Sequence, residues 1–241
     1  MTVTNRTQWL AIGFTMIFPT LLTWAYFVLL ADQPAGMQQS AYAVGKVIQF
    51  AFPAVWVFLV MRSPWQGSWP RRTGMGLAIG FGLAVAVVMC AVYYGWLKHA
   101  PFFAGPGEIV RRKIAGLGLN SLGKYAAVGV FYALFHSLLE EYYWRWFVFG
   151  RLRPLVGNGS AIGISSVAFL AHHVILLATY FGWGSPISYL LSLCVGLGGA
   201  VWAWLYLRSE SLYGPWISHC FVDAAIFLIG YDLARPLLTS G

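Results

Sequence analysis

The chain has 241 residues, 59% of them hydrophobic and 17% aromatic, with only 9% charged and a formal net charge of +8. A water-soluble domain carries roughly a quarter charged residues, so a soluble globular protein is excluded and the bilayer must solvate most of this chain. The basic residues collect in short segments such as Arg71-Arg72, Arg111-Arg112-Lys113 and Arg151/Arg153, a placement that fits topology and anionic lipid headgroups and not nucleic acid.

A helix needs about 20 apolar residues to cross a bilayer. The first such run, 8–31, is too long for a signal-peptide core and lacks a small-x-small cleavage site, so it is expected to remain as an uncleaved span. Runs at 42–61 and 74–97 follow, separated by connectors containing Pro34 and Ser63-Pro64. The stretch 107–120 mixes basic and apolar residues, as an amphipathic helix lying in the interface does. Further apolar runs cover 124–150, 160–182, 186–207 and 212–230. The expected fold class is all-α: a polytopic transmembrane helical bundle of about seven to eight spans, the eighth within 99–120, forming a single membrane domain over 1–241. Gly74, Gly76, Gly80 and Gly82, and Gly196, Gly198 and Gly199, suit close helix contact in lipid. Cys90, Cys194 and Cys220 lie inside apolar runs without CxxC spacing and read as small membrane-core residues. Loop charge favours a cytoplasmic N-terminus, although the basic stretch from Lys98 to Lys124 opposes that count. The expected location is a bacterial-type inner (plasma) membrane.

Ionisable side chains at bilayer depth cost several kcal/mol and mark functional sites. Here they concentrate on three helices. The fourth run, FYALFHSLLEEYYWRWFVFG, carries Glu140, Glu141 and Arg145; the fifth, SSVAFLAHHVILLATY, carries His172 and His173; the last, SLYGPWISHCFVDAAIFLIG, carries His219 and Asp223. Glu141 and Arg145 are i,i+4 and able to pair on one face. Glu140 lies about 100° round the helix from Glu141, on the stripe of His136 and Trp144. His219 and Asp223 are also i,i+4, so the carboxylate can orient or charge-stabilise the imidazole. Glu140 sits about ten residues, roughly 15 Å by helical rise, from the Arg151 end. From the same side His173 is about thirteen residues into its span and His219 about seven. Three helices thus have the reach to bring an acid and two imidazoles around one water-filled pocket. Of the two adjacent histidines only one can face that pocket, and His136 reads as an inter-helix hydrogen bonder.

Glu140-Glu141-x-x-x-Arg145, Phe169-x-x-x-His173 and His219-x-x-x-Asp223, in this order and on separate hydrophobic helices, resemble the three motifs of the CAAX protease and bacteriocin-processing (Abi, CPBP) family. The third motif ends in Asn or Asp across that family, so Asp223 is within the pattern. The resemblance implies a glutamate-dependent intramembrane endopeptidase acting on a membrane-anchored protein or peptide. Glu140 would activate water, His173 would help hold it, His219 with Asp223 would polarise the scissile carbonyl, and Glu141 with Arg145 would position Glu140. Such family members trim prenylated CAAX proteins in eukaryotes. Bacterial relatives are linked to peptide maturation, bacteriocin self-protection or removal of C-terminal sorting tails. The residues do not choose among these substrates.

The preferred mechanism needs no cofactor. A zinc version remains open, with Glu140, His173 and His219 as three ligands and water as the fourth, although no HExxH helix is present. A proton-coupled transporter is the alternative of a different class, since intramembrane Glu and His also build proton relays. No inverted repeat or matched pair of broken helices supports it. A silent scaffold is disfavoured by the intact motifs, and a cysteine peptidase by Cys220 lying about 100° from His219 on its helix.

Overall fold

The computed structural model describes residues 5–64 and 69–238, and all regular structure among them is helical. Ten α-helices follow in chain order: α1 Asn5–Trp24, α2 Ala35–Val55, α3 Met75–Gly95, α4 Ala104–Gly116, α5 Leu122–Val130, α6 Ser137–Glu141, α7 Gly150–Val156, α8 Asn158–Phe181, α9 Pro186–Ser209 and α10 Tyr213–Leu238. Wide π-type turns extend α1 over Ala25–Leu29 and α2 over Trp56–Val60, and two more, Phe131–His136 and Tyr142–Phe149, join α5, α6 and α7 into one continuous rod.

Seven of these assemblies are long and apolar enough to cross a membrane: Asn5–Leu29, Ala35–Val60, Met75–His99, Leu122–Val156, Asn158–Phe181, Pro186–Ser209 and Tyr213–Leu238. The protein is an integral, multi-pass membrane protein with the expected bundle of spans. No eighth span arises within 99–120: α4 has 13 residues, about 20 Å of helix against a hydrocarbon core of about 30 Å. Several helices outrun their apolar patterns. The second begins at Ala35 and not 42, and the last ends at Leu238 and not 230. Polar ends such as Gln38-Gln39 and Asp232 to Arg235 continue the backbone ladder after the hydropathy signal has stopped.

Local chemistry sets the ends. Ser121 caps α5, its hydroxyl accepting from the Lys124 N–H at 3.4 Å. Pro186 opens α9 at a position where a missing N–H costs nothing. Gly182, at φ 95°, stops α8 in backbone territory that side chains resist.

The described residues form two compact units, with the boundary inside the rod, between Glu140 and Glu141. One unit contains α1, α2, α7, α8, α9 and the Tyr142–Phe149 turns. Within it α8 packs on α9 and on α1. Buried Tyr143 ties the rod to α1 by donating to the Thr15 carbonyl at 2.7 Å. Phe52 and Phe147 meet edge-to-face at 6.2 Å, packing α2 against the same stretch.

The other unit contains α3, α4, α5, the Phe131–His136 turn, most of α6, and α10. Its centre is the α3–α10 contact. There Gly82 allows the two backbones to meet: a Cβ at that position would lie 2.6 Å from the Ser218 carbonyl oxygen. Tyr125 donates to the Phe227 carbonyl at 2.8 Å and Trp216 to the Leu134 carbonyl at 2.8 Å, so α10 is pinned to the rod at two levels.

Candidate active site

In the unit that holds α10, Glu140 ends the segment of α6 assigned there, and only 5% of it is exposed. Its Oε2 stands 3.8 Å from Nε2 of His219, which is likewise 5% exposed. Asp223 Oδ1 approaches that same Nε2 at 3.6 Å. Two carboxylates therefore address one imidazole nitrogen, and a proton carried there points into the cluster. His136 completes the group, its Nε2 standing 4.0 Å from Glu140 Oε1. Its ring lies 4.7 Å from that of Tyr132, one turn earlier.

The placement follows from the packing already described. The close approach of Gly82 to Ser218 fixes the turn of α10 that carries His219. Ser137 donates to the Ala133 carbonyl and touches Cys220 Sγ at 3.5 Å, bringing the start of α6 against α10. Cys220 thus faces a serine hydroxyl, whereas its neighbour His219 faces the acids, as their angular separation on the helix requires.

In the other unit Glu141 is fully buried and its Oε2 lies 3.1 Å from Arg145 Nε. The guanidinium, 2% exposed, also donates to the Gly199 carbonyl at 3.3 Å. Its central carbon lies 4.9 Å from the centre of the Phe169 ring and 5.4 Å from that of Trp202. Phe169 is therefore the platform for the arginine of the preceding motif. Its carbonyl oxygen is also 3.0 Å from His173 Nδ1. With the proton on Nδ1 donated to that carbonyl, the His173 Nε2 lone pair is left as an acceptor, which fixes the tautomer by a local bond. His172 behaves differently. It is buried, parallel to the Trp144 ring at 5.8 Å and edge-on to Phe169 at 5.5 Å.

Glu140, His219 and Asp223 thus come together, and Glu141 pairs with Arg145. His173 shares its unit with Glu141 and Arg145 and connects to them through Phe169. The sequence reads His136 as an inter-helix hydrogen bonder; its Nε2 also stands 4.0 Å from Glu140 one turn on. The stripe shared by His136, Glu140 and Trp144 was the available signal. The roles of Phe169, Gly199 and Trp202 were also missed. Nothing in the spacing of α9 relative to the motifs marks Gly199 and Trp202, because their register against α8 is a tertiary property. Among the described residues no three His, Cys, Asp or Glu side chains are grouped as a metal site requires.

A multi-span helical protein with a buried acid–imidazole cluster belongs to the class of membrane proteins built for chemistry at bilayer depth. Residues 122–225 match the family model described as type II CAAX prenyl endopeptidase Rce1-like. The resemblance drawn from the three motifs is borne out by this match, which supports an intramembrane peptidase acting on a membrane-associated peptide substrate. No curated protein matches the chain, and no solved structure does.

Proposed function

We propose that the chain hydrolyses a peptide bond of a membrane-anchored protein or peptide by a metal-free mechanism in which Glu140 activates water. The observation that carries this reading is the buried pair Glu140 Oε2 and His219 Nε2, 3.8 Å apart. Two hydrogen bonds of about 2.8 Å can converge on one oxygen whenever their ends lie less than about 5.6 Å apart. At 3.8 Å this acid and this imidazole are close enough for one water, or the oxyanion that replaces it, to bond both at once.

Glu140 takes a proton from the water as it attacks the scissile carbonyl, and returns it to the leaving amine. A carboxylate positioned against the attacking water suits this task as a general base. His219 directs an N–H at the developing oxyanion, where a preorganised donor in a dry site acts strongly. Asp223 holds that imidazole and balances its charge. By the motif resemblance alone, His173 is given the role of second imidazole for the water. Glu141 and Arg145 act as positioning residues that lock the backbone next to Glu140.

Glu140→Gln removes the base while keeping size and hydrogen-bonding shape. It is expected to lower cleavage of membrane-anchored peptides by at least about a thousandfold, at the scale of losing a general base with its bound water. Mass spectrometry of products from proteoliposomes reads the effect, with a melting curve as the folding control. A folded Glu140→Gln protein that still cleaves removes Glu140 from this role.

A further inference from the structure

A second polar site lies in the unit that holds α10, away from the acid–imidazole cluster. A cavity of about 440 Å³ opens where the C-terminal ends of the spans Met75–His99 and Tyr213–Leu238 meet α4. Its wall includes Tyr93, Lys98, His99, Phe103, Arg111 and Asp232. Asp232 is the one acid of this wall and is already engaged: Tyr93 donates to Oδ2 at 2.8 Å and Lys98 to Oδ1 at 2.9 Å. Arg235 lies close enough to act on the same carboxylate electrostatically. Counting Glu108, which pairs with Arg111, the three cations Lys98, Arg111 and Arg235 outnumber the two acids around this wall by one.

Arg111 contributes half a fork. Its Nε and Nη2 both donate to Glu108 on its own helix, at 2.9 and 2.6 Å, while Nη1 stands on the side of Gly107, which lines the cavity. His99 is exposed at the rim, and Arg112 and Lys113 add positive charge on α4 just outside it. The wall is not a loose surface patch. Gly107 packs closely on Leu233 of α10, where a Cβ would lie 3.3 Å from the leucine side chain, and Ile114 of α4 is buried with Tyr125, Ala234 and Leu238.

Exposed aromatic side chains flank this cavity. Trp96 and Phe102 are 59% and 47% exposed beside it, their rings 5.8 Å apart, as aromatic anchors are at a bilayer interface. Below it, along α3, Val87, Val88 and Val92 present an exposed apolar face. We infer that this cavity binds the phosphate of an anionic phospholipid headgroup, with Arg111 and His99 on the phosphate oxygens and the acyl chains along the outer face of α3. A basic pocket at the end of a span supplies both the charge and the hydrogen-bond donors that such a headgroup takes.

The test uses the full chain in nanodiscs of equimolar phosphatidylcholine and phosphatidylglycerol, with co-purifying lipid counted by native mass spectrometry. Arg111→Gln and His99→Gln, made separately, are each expected to lower retained phosphatidylglycerol by about tenfold, the scale of one lost charge-assisted contact. Arg112→Gln, outside the cavity wall, is expected to leave retention unchanged. Melting curves show that each variant is folded. Equal retention in all three variants overturns the site, as does equal retention of phosphatidylcholine. Displacement of the lipid by inorganic phosphate overturns the lipid assignment in favour of a soluble phosphate. Displacement by a short peptide acid but not by its amide overturns it in favour of a peptide carboxylate.

Discussion

Arg145→Met tests the buried half of the first motif. Arg145 and Glu141 are 2% and 0% exposed, with Nε and Oε2 3.1 Å apart. At that separation, and at an effective dielectric of about 20, two unit charges attract by about 5 kcal/mol. Much of this gain offsets the cost of removing both ions from water, so the pair itself is worth far less. Deleting one partner is another matter, because Glu141 then stays buried without its cation. The expected loss of stability is about 3–5 kcal/mol. Replacing both partners with apolar residues, Glu141→Leu with Arg145→Met, removes the stranded charge and is expected to recover at least half of that loss. Unfolding in mixed micelles under a denaturing-detergent titration, followed by tryptophan fluorescence, measures Arg145→Met, the single Glu141→Leu and the double variant. An Arg145→Met cost below about 1 kcal/mol, or a double variant as unstable as the sum of its singles, refutes the account of a buried, mutually dependent pair.

Gly82→Ala places a Cβ against the Ser218 backbone, one residue before His219, where neither main chain can yield cheaply. It is expected to cost about 1–3 kcal/mol and to lower kcat more than it raises KM; a variant with unchanged melting and kcat denies that this contact sets the imidazole. Asp223→Asn keeps the shape and one acceptor beside His219 but removes the charge. Partial activity is expected, with Asp223→Ala well below it, and steady-state cleavage assays that rank the two equally rule out an orienting role.

Much of the architecture was legible because the physics behind it is local. Seven spans follow from apolar runs of membrane-crossing length, and α4 from its mixed basic and apolar composition. The ion pairs within helices, Glu141 with Arg145 and His219 with Asp223, follow from i,i+4 spacing alone. The proximity of Glu140 to His219 was legible only through motif order, since no pattern within α6 or α10 encodes their mutual register. What escaped was tertiary. Phe169 is marked by its motif, but its part is visible only once Arg145 is found above its ring and His173 bound to its carbonyl oxygen. Nor did composition foretell the wide turns at Phe131–His136 and Tyr142–Phe149, which contain neither proline nor glycine.

Those turns give the acid-bearing rod an uneven tolerance for length change. Each takes in roughly one residue more than an α-turn needs, so losing a residue there can be absorbed by tightening the coil, and the flanking side chains keep their facing. Within Ser137–Glu141 there is no such slack. A single deletion there swings Glu140 by about 100° relative to everything before it. Insertions and deletions among natural variants of this rod should therefore gather in the loosely wound stretches and spare the five residues between them.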